Sequence, residues 1–305
     1  ILNTNKSRPL LDRVTKGLYP PGSTIKPFIA IAGLENNLRV PPFQINDPGF
    51  FTMPNQSKTF RNWKRDGHGQ VDMVKAIAVS SDTFFYGLGL ELGLDKMNQT
   101  LKAYGFGHKT GIDILGEKNG LVANKEWKIK NKKERWYAGE TVITAIGQGF
   151  TLVTPIQLAN ATAKIALPNN QNYVSPHLLL NSNQLKQRND KLYTPPPNKK
   201  NTMSYIKEGM EAVTDFGGTA AFLNGGSYKI AAKTGTAQVF GLAGGEYVEE
   251  DLPEHLKDHA LFIAYAPAKK PKLVVAVIVE NGGSGGSAAG PIAKKVFDHY
   301  LLSNQ

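Results

Sequence analysis

The run Leu273-Val274-Val275-Ala276-Val277-Ile278-Val279 limits what this chain can fold into more than any other stretch. It is apolar at odd and even positions alike. Alternate residues of a strand face opposite ways, so both faces of this strand must be covered, as in a central strand with a layer on each side. His259 to Ala266 reads as a second strand, and Tyr228 to Lys233 leading into Thr236 to Phe240 as a third. Residues 287–302 have the pattern of a closing amphipathic helix. Upstream the chain is helical in pattern at 23–34, 72–94, 95–104 and 155–166. Residues 41–69 read as a loop, and the polar stretch 181–200 as a surface excursion. Strands that follow one another without regular helical crossovers pair antiparallel with the helices segregated, an α+β arrangement. No internal repeat is present.

Proline sharpens the first helix. In Tyr19-Pro20-Pro21-Gly22-Ser23-Thr24-Ile25-Lys26-Pro27-Phe28, the first prolines and the glycine mark a turn,. Pro27 is tolerated only near a helix start, which puts Ser23 and Lys26 in the first turn. Side chains three apart share a helix face, so a lysine amine there reaches the serine hydroxyl. A serine attacks only when something takes its proton, and a lysine does so when burial or a neighbouring cation lowers its pKa. The bland alternative is a capping serine beside a surface lysine. The same S-x-x-K spacing recurs at Ser204 and Lys207, so spacing alone carries little weight.

Two further clusters have chemical content. Lys233-Thr234-Gly235-Thr236 on an edge strand would present a cation and two hydroxyls along a cleft wall, with a glycine where a ligand backbone comes close. An edge strand also offers N–H groups to an extended peptide. Its alternative is an exposed edge strand with a bend. Ser80-Ser81-Asp82 would put two polar side chains on a turn between helices; its alternative is an N-cap.

The totals exclude some chemistry. The chain has 305 residues and no cysteine, which removes thiol catalysis and every cysteine metal site and leans towards an exported protein without disulfides,. A net charge of +11 suits an anionic partner or simply a solvated basic surface,. The basic runs at 128–133 and 199–200 are short, and no nucleic-acid motif accompanies them,. No apolar run approaches the ~20 residues of a membrane span. The first residues lack an initiator Met, as in a fragment with an anchor upstream.

S-x-x-K, then S-x-[ND], then K-[TS]-G, in that order, resembles the penicillin-binding proteins and serine β-lactamases. Here the motifs are Ser23/Lys26, Ser80/Asp82 and Lys233/Thr234/Gly235; Ser204 fails because no S-x-[ND] lies between it and Lys233. Gly17 to Phe28 is similar to the nucleophile segment of class B transpeptidases. Asn62-Trp63-Lys64, Gly67-His68-Gly69, Asp82 to Tyr86, Gly147-Gln148-Gly149, Lys233 to Gly241 and Glu280 to Gly283 resemble the elongation-type subfamily, penicillin-binding protein 2. The likeness runs over essentially the whole chain.

The resemblance implies an α+β transpeptidase fold, with an antiparallel sheet flanked by helices and an all-helical subdomain. It implies one domain over 1–305 that lacks its first strands, helical over about 24–225 and sheet over about 226–305. It implies a peptidoglycan D,D-transpeptidase, inhibited by β-lactams, with Ser23 as nucleophile, Lys26 as base and Ser80 as proton shuttle. Asp82, Lys233, Thr234, Gly235 and Thr236 would bind substrate, and Thr236 would share an oxyanion hole with Ser23. Asp82 stands where many relatives have Asn. The implied partners are D-Ala-D-Ala stem peptides, a SEDS-type glycosyltransferase and rod-complex scaffold proteins. The implied location is the periplasm, below an inner-membrane anchor and a pedestal domain outside this stretch. Some members bind a metal with two Asp, one His and one Cys. The matching positions are Asp47, Asn62, His68 and Ser81, a poor zinc set, so no metal and no cofactor is expected and His68 reads as a hydrogen-bonded loop residue. A D,D-carboxypeptidase, a β-lactamase and a penicillin-binding sensor carry the same three motifs.

Overall fold

Helix α2, Lys26–Glu35, is buried from Lys26 through Leu34 and forms the axis of the molecule. Pro27 sits at its second position, where the missing N–H had no partner to lose,. The turn before it, Gly22–Ile25, is 3₁₀ and not α-helical, and no side chain caps the junction. Ser23 therefore lies one turn outside the helix and does not cap it. Side chains three apart eclipse in a 3₁₀ turn, so Ser23 and Lys26 are still stacked; the Lys26 N–H donates to Ser23 O.

The computed structural model describes residues 8–167, 175–179, 199, 201–238 and 257–303. The expected surface excursion at 181–200 lies outside these apart from Lys199, as do Val239 and Phe240. A short helix α1, Arg13–Lys16, precedes α2. The expected loop at 41–69 contains short strands: β1 (Ile45–Asp47) pairs with β4 (Gly69–Val71), and β2 (Phe50–Thr52) with β3 (Thr59–Arg61), both antiparallel. Each is three residues long, too short to show a period of two in the sequence,. They serve as a cover: Phe51 and Phe60 pack on the buried Tyr86.

The expected helix at 72–94 is two helices, α3 (Met73–Ala78) and α4 (Asp82–Leu92). Between them Ser80 N–H donates to Ile77 O and Ser81 N–H to Ala76 O, the paired bonds of a Schellman stop,. Ser80 occupies the left-handed position of that motif, with φ 57°, where glycine is the usual residue,. α5 (Leu94–Ala103) follows. Beyond it come α6 (Lys125–Lys132) and α7 (Ala138–Thr144), then α8 (Pro155–Ala166) and α9 (Thr202–Ala212). α2 packs against α4, α5 and α9.

The sheet is antiparallel in the order β5 (Ala231–Ala237), β6 (His259–Ala266), β7 (Leu273–Val279). Lys233, Thr234 and Gly235 face Ile263, Phe262 and Leu261. β6 is central, and every residue from Ala260 to Ala266 is buried, so both faces of the sheet are covered,. α8 and α10 (Gly290–Leu302) both pack on β6 and β7. The apolar run in β7 thus has the two covered faces expected of it, but among the described residues it is an edge strand and its residues are only half-buried. Coverage of the faces writes an apolar pattern; pairing at the edges does not. No helix among the described residues is long and apolar enough to cross a membrane.

Phe28 is fully buried, edge-on to Tyr104 at 5.3 Å and to Phe106 at 5.0 Å. Phe28→Ala leaves a cavity under α2 and should cost about 3–5 kcal/mol in urea unfolding; a loss below about 1 kcal/mol would show that α2 is not the packed axis described.

Candidate active site

Lys26 has no exposed surface, and its ammonium is fully partnered. Nζ donates to Ser80 O at 2.8 Å, Ser80 Oγ at 3.1 Å and Asp82 Oδ1 at 2.7 Å. These are the donors that an ammonium possesses. Burial lowers the Lys26 pKa, and the Asp82 carboxylate opposes that by favouring the charged form,. The left-handed φ of Ser80 turns its carbonyl and hydroxyl to the same amine. Strain of this kind persists where the surroundings enforce it.

The Gly22–Ile25 turn lies against β5 through backbone contacts. A Cβ on Gly22 would stand 2.5 Å from Thr236 O, and Gly22 has φ 51°. A Cβ on Gly235 would stand 2.8 Å from Thr24 Cγ2 and 3.1 Å from Thr24 N. Both neighbours of Ser23 are therefore held to the Lys233–Thr236 strand, and Ser23 itself is half-buried between them. Gly235 was expected to make room for a ligand; the room it makes is taken by Thr24 of the protein's own turn. On its other side Gly285 comes as close, since a Cβ there would meet Gly235 O at 2.2 Å.

Lys233 is fully buried beside Lys26. Burial holds its pKa well below the usual lysine range, and the Lys26 charge adds to that depression,. Its Nζ donates to Thr234 O at 3.0 Å. Thr234 Oγ1 shares a hydrogen bond of 2.8 Å with Thr219 Oγ1, and Thr236 is half-buried. The expected residues Ser23, Lys26, Ser80, Asp82, Lys233, Thr234, Gly235 and Thr236 thus come together from three separate segments. Ser204 is exposed on α9, and Lys207 donates to Ala166 O at the end of α8, so the repeated S-x-x-K spacing lies elsewhere.

Several residues that hold the site were not singled out by chemistry. Gly147 O accepts the Gly22 N–H at 2.9 Å, and Gln148 Nε2 donates to Thr236 O at 3.1 Å, so the 147–149 loop clasps turn and strand together. Gly147 has φ 76°, and a Cβ there would be 2.0 Å from Gly22 O. The paired glycines around Gln148 were the available signal. It is Ser81, not Ser80, that caps α4, accepting the Phe84 N–H at 3.2 Å. Thr219 had no signal in the sequence at all.

The four positions that match a metal set in some relatives do cluster, as a hydrogen-bonded group. Asp47 Oδ2 accepts Asn62 Nδ2 at 2.8 Å and Ser81 Oγ at 2.7 Å, while Asp47 Oδ1 accepts the Gly49 N–H at 2.9 Å. The Asn62 amide and Ser81 hydroxyl are poor zinc donors, and Asp47 already spends both oxygens. Among the described residues no group of three or more His, Cys, Asp or Glu could hold a metal. The residues do not fit the ion. His68 differs from its expectation: its backbone N–H donates to Asp47 O and its carbonyl accepts Lys75, but ring Nε2 is buried without a hydrogen bond. The ring lies 5.5 Å from that of Trp63.

Comparison with known proteins agrees with this geometry. Residues 2–298 match the penicillin binding protein transpeptidase domain. The chain is 44% identical over 310 residues to the peptidoglycan D,D-transpeptidase MrdA of Acinetobacter baumannii, with 100% of this chain and 45% of the relative aligned. It superposes on the structure of Pseudomonas aeruginosa PBP2 in complex with WCK 5153 with a TM-score of 0.85 at 39% identity, covering 99% of this chain and 63% of that one. It superposes on PBP2 of Helicobacter pylori in complex with MreC with a TM-score of 0.84 at 33% identity, covering 100% and 54%. The chain spans about half the length of the curated relatives it matches. It belongs to the penicillin-binding protein transpeptidase family, on the penicillin-binding protein 2 side of it.

Proposed function

We propose that this chain is the catalytic part of an elongation-type peptidoglycan D,D-transpeptidase that works through an acyl-enzyme on Ser23. The observation that carries the reading is the buried Lys26, three residues after Ser23 with its N–H on Ser23 O, and its amine bound to both Ser80 and Asp82. A neutral Lys26 keeps two donors, for Ser80 O and Asp82 Oδ1, and its lone pair is then free to accept a hydroxyl proton. Ser23 Oγ gives up that proton and attacks the carbonyl of the penultimate D-alanine. The C–N bond to the terminal D-alanine breaks, and the leaving amine takes the proton back from Lys26 through Ser80. An amine of a second stem peptide then attacks the ester, releases Ser23 Oγ with its proton and forms the cross-link.

Other residues have supporting roles. The N–H groups of Ser23 and Thr236 stabilise the oxyanion, a contribution whose loss elsewhere costs about 10²–10³ in rate. Thr234 and Thr236 bind the terminal carboxylate in the field of Lys233, with Gly235 allowing the strand to lie beside the nucleophile. Asp82 accepts hydrogen bonds but offers none when ionised, so its partner is Lys26 and not a substrate carbonyl. A β-lactam enters by the same attack and stays as a slowly hydrolysed ester. We place the protein in the periplasm, with residues 1–305 as one transpeptidase domain anchored in the inner membrane by a segment outside them. Its partners are a SEDS-type glycosyltransferase and a scaffold of the MreC kind.

A fluorescent penicillin followed by peptide mass spectrometry tests the nucleophile. The adduct should sit on the Ser23 peptide, vanish in Ser23→Ala and survive in Ser204→Ala; an adduct elsewhere overturns the assignment. Cross-linked product in the presence of an acceptor amine, and not hydrolysed product alone, separates transpeptidation from carboxypeptidation.

The pH profile tests Lys26. Acylation should rise with pH as Lys26 loses its proton and level off below the 10.5 of a free lysine. Since the Asp82 charge raises the Lys26 pKa, Asp82→Asn should move the rise to lower pH, besides slowing the plateau. A shift to higher pH would contradict the assignment.

Ser80→Gly separates backbone from hydroxyl. Glycine accepts φ 57° without the left-handed penalty of about 1–2 kcal/mol that an L-residue carries,, and the carbonyl contact to Lys26 remains. The variant should melt no lower than the parent yet acylate more slowly; undiminished acylation would remove Ser80 Oγ from the proton path.

A further inference from the structure

Asp82 is held by more than Lys26. Its Oδ2 accepts the Trp63 N–H at 3.1 Å, and its own N–H donates to Asn62 Oδ1 at 3.2 Å. Asn62 is only 3% exposed, and its Nδ2 donates to Asp47 Oδ2. The same Asp47 oxygen accepts Ser81 Oγ, and Ser81 caps α4. One side chain, Asn62, thus connects the end of β1, the end of β3 and the first turn of α4. From there the path reaches the amine through Asp82 Oδ1.

We propose that Asn62 is a positioning residue for acylation, holding the Asp82 carboxylate on Lys26 by hydrogen bonds alone, at a site where the donor set does not suit a metal. The chemistry of the amide fits both contacts. Asp47 is a buried carboxylate that needs donors, and the Asp82 N–H at the start of α4 needs an acceptor; an uncharged amide supplies one of each. Aspartate at 62 would face Asp47 with a second negative charge, and leucine would leave the buried Asp82 N–H without its acceptor and Asp47 Oδ2 with Ser81 Oγ alone,. The adjacent Trp63 is fixed by the same loop: its Nε1 donates to Val79 O at 3.2 Å, which keeps its backbone N–H on Asp82 Oδ2. The Asp47–Asn62–Ser81 group does for the loop and α4 what a bound cation would do, which is to fix side chains from three segments around one point.

The inference rests on acylation of Ser23, and the test keeps the two apart. The quantities to measure are the acylation rate constant and the noncovalent affinity for a fluorescent penicillin, in the parent, Asn62→Leu, Asp82→Ala and the double variant. If the parent does not acylate at Ser23, the proposed function fails. If the parent acylates and Asn62→Leu matches it, only the positioning role fails. The expected result is a loss of roughly tenfold or more in the rate constant, with affinity little changed. In the Asp82→Ala background the same substitution should cost almost nothing further. Independent, additive losses would mark Asn62 as merely structural and overturn the proposal. Should Asn62→Leu not fold, Asn62→Ser is short, polar and unable to span both partners, and should show the same non-additivity. Treating the parent with a chelator should leave both its acylation rate and its melting temperature unchanged; a loss restored by zinc would overturn the claim that hydrogen bonds alone hold the site.

Discussion

A buried ammonium is the constraint around which this site is arranged. Taking Lys26 wholly out of water is unfavourable unless its N–H donors are met, and Ser80 and Asp82 meet them. Both partners sit at the junction of α3 and α4, so the Schellman stop that separates those helices determines where the amine is held. Had α3 run straight into α4, the Ser80 carbonyl would point along the helix and be consumed by its ladder. The left-handed φ at a serine is the local cost of that arrangement,.

Backbone proximity does for the Gly22–Ile25 turn what hydrogen bonds do for the lysine. Gly22, Gly147, Gly235 and Gly285 each stand where a Cβ would strike another segment's backbone or the Thr24 side chain. They allow the turn, the 147–149 loop and β5 to approach one another at backbone distance. Attack at a carbonyl needs a nucleophile and oxyanion donors within about 3 Å of one reacting atom, and a layer of side chains would push them apart. The glycines are therefore structural in contact and chemical in effect.

The motif order made the three clusters legible in the sequence, and Pro27 marked the start of α2, because each depends on neighbours in the chain; Ser23, expected in the first turn of that helix, lies in the 3₁₀ turn before it. Local signals also identified α8 and the ends of β6. What stayed hidden has a common cause. Asn62 and Asp82 are twenty positions apart, joined by a contact that no periodicity encodes. Three-residue strands fall below the length at which alternation is visible. Ser80 and Ser81 are indistinguishable on paper, yet one is a strained helix stop bound to Lys26 and the other a helix cap bound to Asp47. A glycine at 235 reports only that something comes close, and nothing in the sequence says that Thr24 is what does.

The carboxylate at position 82 adds a last consideration. An asparagine there could accept from Lys26 with its carbonyl and still have an amide left to donate. Aspartate gives up that donor and gains a charge that raises the Lys26 pKa against burial. Lys233 differs, since burial and the Lys26 charge both lower its own pKa,. An amine intended as a base is useful when its pKa lies near the working pH, neither so high that it stays protonated nor so low that it accepts weakly. Burial alone would carry Lys26 towards the weak end. In this reading Asp82 supplies the opposing charge, and the loop that fixes Asp82 sets how much of that charge the lysine feels, which ties the basicity of the site to a segment that touches neither Ser23 nor Lys233.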